Sequence, residues 1–236
     1  MKLISSTCLA LFVAVGLLSL NPVPDDREQS AEDKAVIAAE LPNYPLTTCV
    51  VSKRPLDAGD GPFNIVVDGH LFRVCCPGCK DTARTKAGSI REAIERAVIS
   101  QGRAHWPLKK CPVSGESYEE SEGSPVELVH GTRYVKLCCK NCVGAFEYDP
   151  AVFMAEIDAA YVASQLKDYP LKTCPISGKP LGKKPVDLLY GTTLVRLCCK
   201  GCKGAFDKDP SSVVKKVHTA WAKAHAEEKK RETEKV

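Results

Sequence analysis

The chain has 236 residues, a net charge of +4 and 13 cysteines. Its lysines and arginines are interleaved with acids rather than gathered into a stripe, which excludes the electrostatic footprint of a nucleic-acid-binding protein. The cysteine content sets the terms instead, because a chain so rich in thiols holds its fold, or its ligand, through sulfur.

Residues 1–20 carry Lys2 and then an apolar run from Leu3 to Leu20, broken only by Ser5, Ser6, Thr7, Gly16 and Ser19. This is the pattern of an export signal. The run is also nearly long enough to cross a bilayer, so the alternative to a cleaved signal is an N-terminal anchor, the one membrane contact expected. Either way the protein is expected to be exported: periplasmic, secreted or anchored at its N-terminus. Cys8 lies within the run and reads as an ordinary member of it. Residues 21–42, with Pro22, Pro24 and several acids before an alanine-rich stretch, read as a linker holding at most one weak helical turn.

An internal repeat begins after the linker. Tyr44-Pro45-Leu46, Trp106-Pro107-Leu108 and Tyr169-Pro170-Leu171 mark its start, and Cys75-Cys76-Pro77-Gly78-Cys79, Cys138-Cys139-Lys140-Asn141-Cys142 and Cys198-Cys199-Lys200-Gly201-Cys202 its centre. The modules run over residues 43–104, 105–167 and 168–226, followed by a charged tail at 227–236 that reads as a fraying helix end or solvated segment. Units of this size bury too little apolar surface to be stable without a disulfide, a metal or a neighbour.

The same elements are expected in each module, giving an α+β fold of three tandem units. A loop carries Cys49, Cys111 or Cys174. Two short β-rich runs follow as a hairpin, with Asp68-Gly69 as the turn and His130-Gly131 and Tyr190-Gly191 in the matching places. The second strand enters Cys-Cys-x-x-Cys, where the chain turns into a short helix and then a longer one. Asp149-Pro150 and Asp209-Pro210 place a capping carboxylate before a first-turn proline, and Ser89 is the expected cap in the first module. Along the long helices Ile90, Ile94 and Val98 match Phe153, Ile157 and Tyr161, then Val213, Val217 and Trp221, one buried stripe at i, i+4, i+8. Phe146 and Phe206 also correspond, but Ala83 stands in their place in the first module, which is the divergent one.

Twelve thiols thus fall into three sets: Cys49, Cys75, Cys76 and Cys79; Cys111, Cys138, Cys139 and Cys142; Cys174, Cys198, Cys199 and Cys202. One reading is metal binding, since thiolates suit zinc and Cu(I), about one ion per repeat. A structural zinc contributes on the order of 10 kcal/mol to folding in units this small, against about 2–4 kcal/mol for a disulfide. A second reading is oxidative: an exported protein meets disulfide-forming machinery, and four cysteines per unit make two bridges, giving a scaffold for a protein partner. A third is thiol redox chemistry, for which only Cys76-Pro77-Gly78-Cys79 has the look of a thioredoxin-type motif, without the strand-helix-strand setting.

The pattern resembles the TRASH and YHS-type modules, treble-clef-like domains associated with heavy-metal sensing, trafficking and resistance. Their pattern is a lone cysteine, then C-x-x-x-C at a strand-to-helix turn, then a phenylalanine and often Asp-Pro. Cys111, Cys138, Cys142, Phe146 and Asp149-Pro150 match it, as do Cys174, Cys198, Cys202, Phe206 and Asp209-Pro210, with Cys49, Cys75 and Cys79 in the first module. The resemblance implies non-catalytic binding of soft metal, for sequestration or trafficking. Two departures stand out. Related ribosomal zinc modules open with C-x-x-C, whereas here the second position holds Ser52, Ser114 or Ser177. In exchange, each unit has gained Cys76, Cys139 or Cys199 beside the strand-end cysteine, and whether this neighbour joins the site depends on where the backbone turns. A structural site would be closed by four ligands; a trafficking site would leave thiols partly exposed.

His70, His105, His130, His218 and His225 fall at non-equivalent places in the repeats and are not expected to be shared ligands or general bases. Tyr44, Trp106 and Tyr169 are expected to pack within or between the modules rather than to form a recognition face.

Overall fold

The computed structural model describes residues 29–121 and 123–234. Residues 1–20, read as an export signal or anchor, with Cys8, and the first part of the stretch read as a linker lie outside the described residues. Among the described residues no helix is long and apolar enough to cross a membrane.

Each repeat builds a two-stranded antiparallel hairpin followed by a short and a long helix. In chain order these are β1 (Phe63–Val67), β2 (His70–Val74), α2 (Lys80–Thr85) and α3 (Ala87–His105); β3 (Val126–His130), β4 (Arg133–Leu137), α4 (Asn141–Tyr148) and α5 (Pro150–Leu166); β5 (Val186–Tyr190), β6 (Thr193–Leu197), α6 (Lys203–Lys208) and α7 (Pro210–Thr233). A further helix, α1 (Ala31–Glu40), precedes them. The expected α+β architecture is therefore present, repeated three times.

The hairpins pair in equivalent register, Phe63 opposite Val74, Val126 opposite Leu137 and Val186 opposite Leu197. Asp68 and Gly69 both have positive φ, 51° and 76°, as a two-residue turn matching the strand twist requires. The sequence alignment of the other two turns is corrected by one residue. Gly131 (φ 61°) and Gly191 (φ 64°) occupy the place of Asp68, and Thr132 and Thr192 that of Gly69, because the strands end at His130 and Tyr190. Asp68 holds the left-handed conformation in the first module because aspartate tolerates it better than most residues with a β-carbon.

The second strand of each hairpin is buried on both faces. Phe72 and Val74, Val135 and Leu137, and Val195 and Leu197 point into their own module's core beside the cysteines. The residues just before them, Leu71, Tyr134 and Leu194, face the other way and are also buried, Tyr134 in the core of the first module. Packing follows this alternation, since β3 and β4 lie on α3, and β5 and β6 on α5. Each hairpin thus leans on the long helix of the module before it.

The first hairpin has no preceding module, and α1 takes that place. The stretch read as a linker is therefore a structural element. Ser30 starts it with a capping box, its Oγ accepting from the Asp33 amide at 3.0 Å while its own amide donates to Asp33 Oδ2. A weakly amphipathic alanine-rich run is hard to recognise as a docked helix, because its partners lie far along the chain.

The helix stripe is present with small shifts. Ile90, Ile94, Val98, Ile157, Tyr161, Val213 and Val217 are buried, whereas Phe153 and Trp221 are half-buried and Met154 takes the deeper position beside Phe153. Pro150 and Pro210 begin their helices as expected, and Asp209 caps α7 by accepting from the Ser212 amide at 3.1 Å. Asp149 makes no such bond. Ser89 is not the cap of α3: the helix starts earlier, and the Ser89 hydroxyl donates to the Lys86 carbonyl inside the first turn.

Candidate metal centre

The first cysteine of each module sits in a tight loop closed by an isolated bridge, Thr48 to Pro55, Lys110 to Ser117 or Thr173 to Pro180. The Cys49, Cys111 and Cys174 amides donate to Arg54, Glu116 and Lys179, while their carbonyls accept from Lys53, Gly115 and Gly178. The last three residues have φ of 61°, 75° and 71°. Glycine suits that left-handed corner, and Lys53 pays a modest strain for it in the first module. The loop turns backbone amides towards the cysteine sulfur, and the Ser52 amide lies 3.4 Å from Cys49 Sγ.

The second strand delivers Cys75, Cys138 or Cys198 at its end. The next residue is extended (φ −156° at Cys76, −162° at Cys199), and a single turn then brings back Cys79, Cys142 or Cys202 at the start of the short helix. In each turn the amide of the last cysteine donates to the carbonyl of the doubled one, at 3.1–3.3 Å. A loop, a strand end and a helix start thereby converge on one point.

Three triads result: Cys49, Cys75 and Cys79; Cys111, Cys138 and Cys142; Cys174, Cys198 and Cys202, with all sulfurs of each triad within 4.8 Å of one another. Eight of the nine are buried, and Cys198 is half-buried. The Cys138–Cys142 and Cys198–Cys202 sulfur separations are 3.6 and 3.8 Å. Zinc–sulfur bonds of about 2.3 Å set at tetrahedral angles put neighbouring sulfurs about 3.8 Å apart. A disulfide would need about 2.05 Å. The donor set and its spacing fit a soft metal ion.

The doubled cysteines stand beside the triads without being full members. Cys139 Sγ is 3.8 Å from both Cys138 and Cys142, Cys199 Sγ is 3.8 and 4.0 Å from Cys198 and Cys202, and Cys76 Sγ is 3.5 Å from Cys79. They are the most exposed thiols of their modules.

The serines found where a C-x-x-C would place its second cysteine also face the site. Ser52, Ser114 and Ser177 Oγ each lie 3.3 Å from Cys75, Cys138 and Cys198 Sγ. Sequence reasoning noted these positions as departures and missed that the hydroxyls reach the thiols; their constant spacing from the first cysteine was the available signal.

Electrostatics divide the thiols. Burial opposes ionisation of Cys49, Cys111 and Cys174, yet hydrogen bonds from the serine hydroxyl and from backbone amides of the loop and strand end outweigh it, bringing them to about 6, 7 and 6. Burial raises Cys79 and Cys202 to about 12 and raises Cys142 as well, reinforced by the neighbouring sulfurs. The loop cysteine is thus the most readily ionised of the three and the helix-start cysteine the least. Metal entry displaces the remaining protons.

None of the histidines joins a triad. His105, His218 and His225 line one cavity of about 600 Å³ between the modules, with Tyr44 and Trp221 among its walls. His130 packs edge-on against Phe146, and His70 Nδ1 lies 3.6 Å from Glu40. The repeat-marking aromatics pack inward: the Tyr44 and Tyr169 hydroxyls accept from the Arg73 and Arg196 amides at 3.2 Å, and Trp106 Nε1 donates to Tyr118, whose hydroxyl donates to the Lys136 carbonyl. Around Cys76 and Cys79 the fold is an antiparallel hairpin and helix rather than a strand-helix-strand unit.

No protein-family model matches the chain, and no curated protein or solved structure matches it either. The likeness to TRASH and YHS modules rests on motif spacing. What the geometry supports by itself is three cysteine triads, each able to hold a metal ion.

Proposed function

We propose that the protein is an exported, non-catalytic carrier of soft metal ions, zinc or Cu(I), with one ion held per module as cargo. The observation that carries this reading is the threefold recurrence of a buried cysteine triad with sulfur spacings of a metal–thiolate polyhedron. Cargo is favoured over a purely structural ion by the shape of the site. Three sulfurs lie within 4.8 Å of one another, and beside them stand only a serine hydroxyl and a more exposed thiol, so the site is not sealed by four buried cysteines. The modules are also held by packing independent of sulfur, each hairpin lying on the preceding helix.

The test is elemental analysis of anaerobically purified protein, with free thiols counted before and after denaturation. About three equivalents of zinc or copper, with the twelve repeat cysteines recovered as thiols once the metal is removed, supports the proposal. Absence of metal together with loss of free thiols would overturn it in favour of a disulfide scaffold for a protein partner.

A further inference from the structure

Resting on that reading, we propose that Cys139 and Cys199, and less efficiently Cys76, are exchange ligands that pass soft metal between the buried triads and a thiolate-bearing donor or acceptor. Three features of the doubled cysteine carry this, and the first recurs in every module. It is the most exposed thiol of its set: Cys199 is exposed, Cys76 and Cys139 half-buried. Its sulfur is nevertheless within 3.5–4.0 Å of triad sulfurs, so an ion shared with it need move only a fraction of its own coordination diameter to reach the triad. Finally, it lies outside the triad whose sulfurs are all within 4.8 Å of one another, so three buried or half-buried thiols remain to hold the ion when it lets go.

The surroundings indicate what approaches. The residues that follow, Lys140 and Lys200, are exposed, and complexes of Cu(I) or zinc with thiolates carry net negative charge. A cationic side chain next to the entry thiol favours such complexes over hydrated cations. In the first module Pro77 takes this place, and Cys76 is less exposed than Cys199, which makes that module the slow one.

The transfer is ligand substitution without redox change. The Cys139 thiol gives up its proton as its sulfur bonds to the incoming ion, and one donor thiolate leaves with that proton or takes one from solvent. Cys111, Cys138 and Cys142 then replace the remaining donor ligands and finally Cys139; each of the three that is still protonated releases its proton as it binds, and the departing donor thiolates and Cys139 take up protons as they leave. Release runs the same steps backwards.

The experiment uses the full chain loaded with zinc or Cu(I), challenged with 4-(2-pyridylazo)resorcinol or bathocuproine disulfonate, with and without glutathione. The expected result for the C139S/C199S double variant is three equivalents still bound, at least tenfold slower loss from two of the three sites, and no acceleration by glutathione where the wild type is accelerated. Loss of two equivalents at equilibrium would overturn the proposal by making these cysteines holding ligands, and unchanged kinetics would overturn it by making them bystanders. The metal-carrier reading itself fails separately, if the wild-type chain binds no ion at the outset. Circular dichroism of the variant distinguishes slowed exchange from misfolding.

Discussion

Ser114 Oγ lies 3.3 Å from Cys138 Sγ, at the mouth of the second triad, and the first and third modules repeat the relationship through Ser52 with Cys75 and Ser177 with Cys198. The loop that would present the second cysteine of a C-x-x-C knuckle is therefore built, with an oxygen where a sulfur would close the site. Oxygen is the poorer donor to a soft ion.

From this, Ser114→Cys is expected to complete a four-thiolate site in the second module. Competition with a chromophoric chelator should show at least tenfold tighter zinc binding at one of three sites, with slower release from that site. Cu(I), which is content with three thiolates, should gain less. Equal affinity of variant and wild type for zinc would mean that the serine position does not reach the ion.

The sites are expected to be independent. Cys142→Ser should remove one equivalent of metal and leave two, because each triad draws its ligands from a single module. Within the second module, Cys138→Ser should weaken binding more than Cys139→Ser, since Cys138 is buried and in mutual contact with Cys111 and Cys142. Elemental analysis of the three variants side by side checks both statements; equal losses at 138 and 139 would favour a four-thiolate site.

Much of this was legible because the repeat supplies its own alignment. Cys-Cys-x-x-Cys, the Asp-Pro helix starts and the stripe through Ile90, Ile157 and Val217 are local patterns, and local geometry produced the hairpin, the turn and the triad three times. What could not be read depends on contacts between modules. Tyr134 belongs to the hairpin of one module and the core of another, and nothing in its strand's alternation says which neighbour will cover it. The docking of α1 was hidden for the same reason. Its key residue is Glu40, a buried acid whose partners are an amide at position 71 and a hydroxyl at position 132. The doubled cysteines were ambiguous because two adjacent residues share one face only where a strand has ended, and Cys76 and Cys199 are still extended, with the turn one residue later.

Glu40 is expected to hold the first two modules together. Its Oε2 accepts from the Leu71 amide at 2.7 Å and its carbonyl from the Thr132 hydroxyl at 2.6 Å. Glu40→Ala should strand the Leu71 amide and cost about 1–3 kcal/mol in urea unfolding, the range for a buried donor left without its partner. Glu40→Gln should cost less, since Gln165 already plays the equivalent part in the third hairpin, its Oε1 accepting from the Leu194 amide at 2.9 Å. Metal stoichiometry should be unchanged in both.

The junction of the first two modules turns on Gly102. It stands in α3 where Gln165 stands in α5, and a β-carbon there would collide with the side chain of Tyr134. In an open helix Gly→Ala gains up to about 1 kcal/mol. Here the collision wins, because Tyr134 is 5 % exposed, its ring packs edge-on against Trp106, and its hydroxyl bonds Glu127 at 2.6 Å, so it has no room to withdraw. Gly102→Ala should therefore destabilise by about 1–3 kcal/mol, the usual cost of overpacking. Tyr134→Ala alone should also destabilise, by leaving a cavity in the first core. The double variant should cost less than the sum, since the alanine at 102 then occupies emptied space, and a double-mutant cycle measured by urea denaturation reports that coupling. Strict additivity would mean that the hairpin of the second module does not rest on α3.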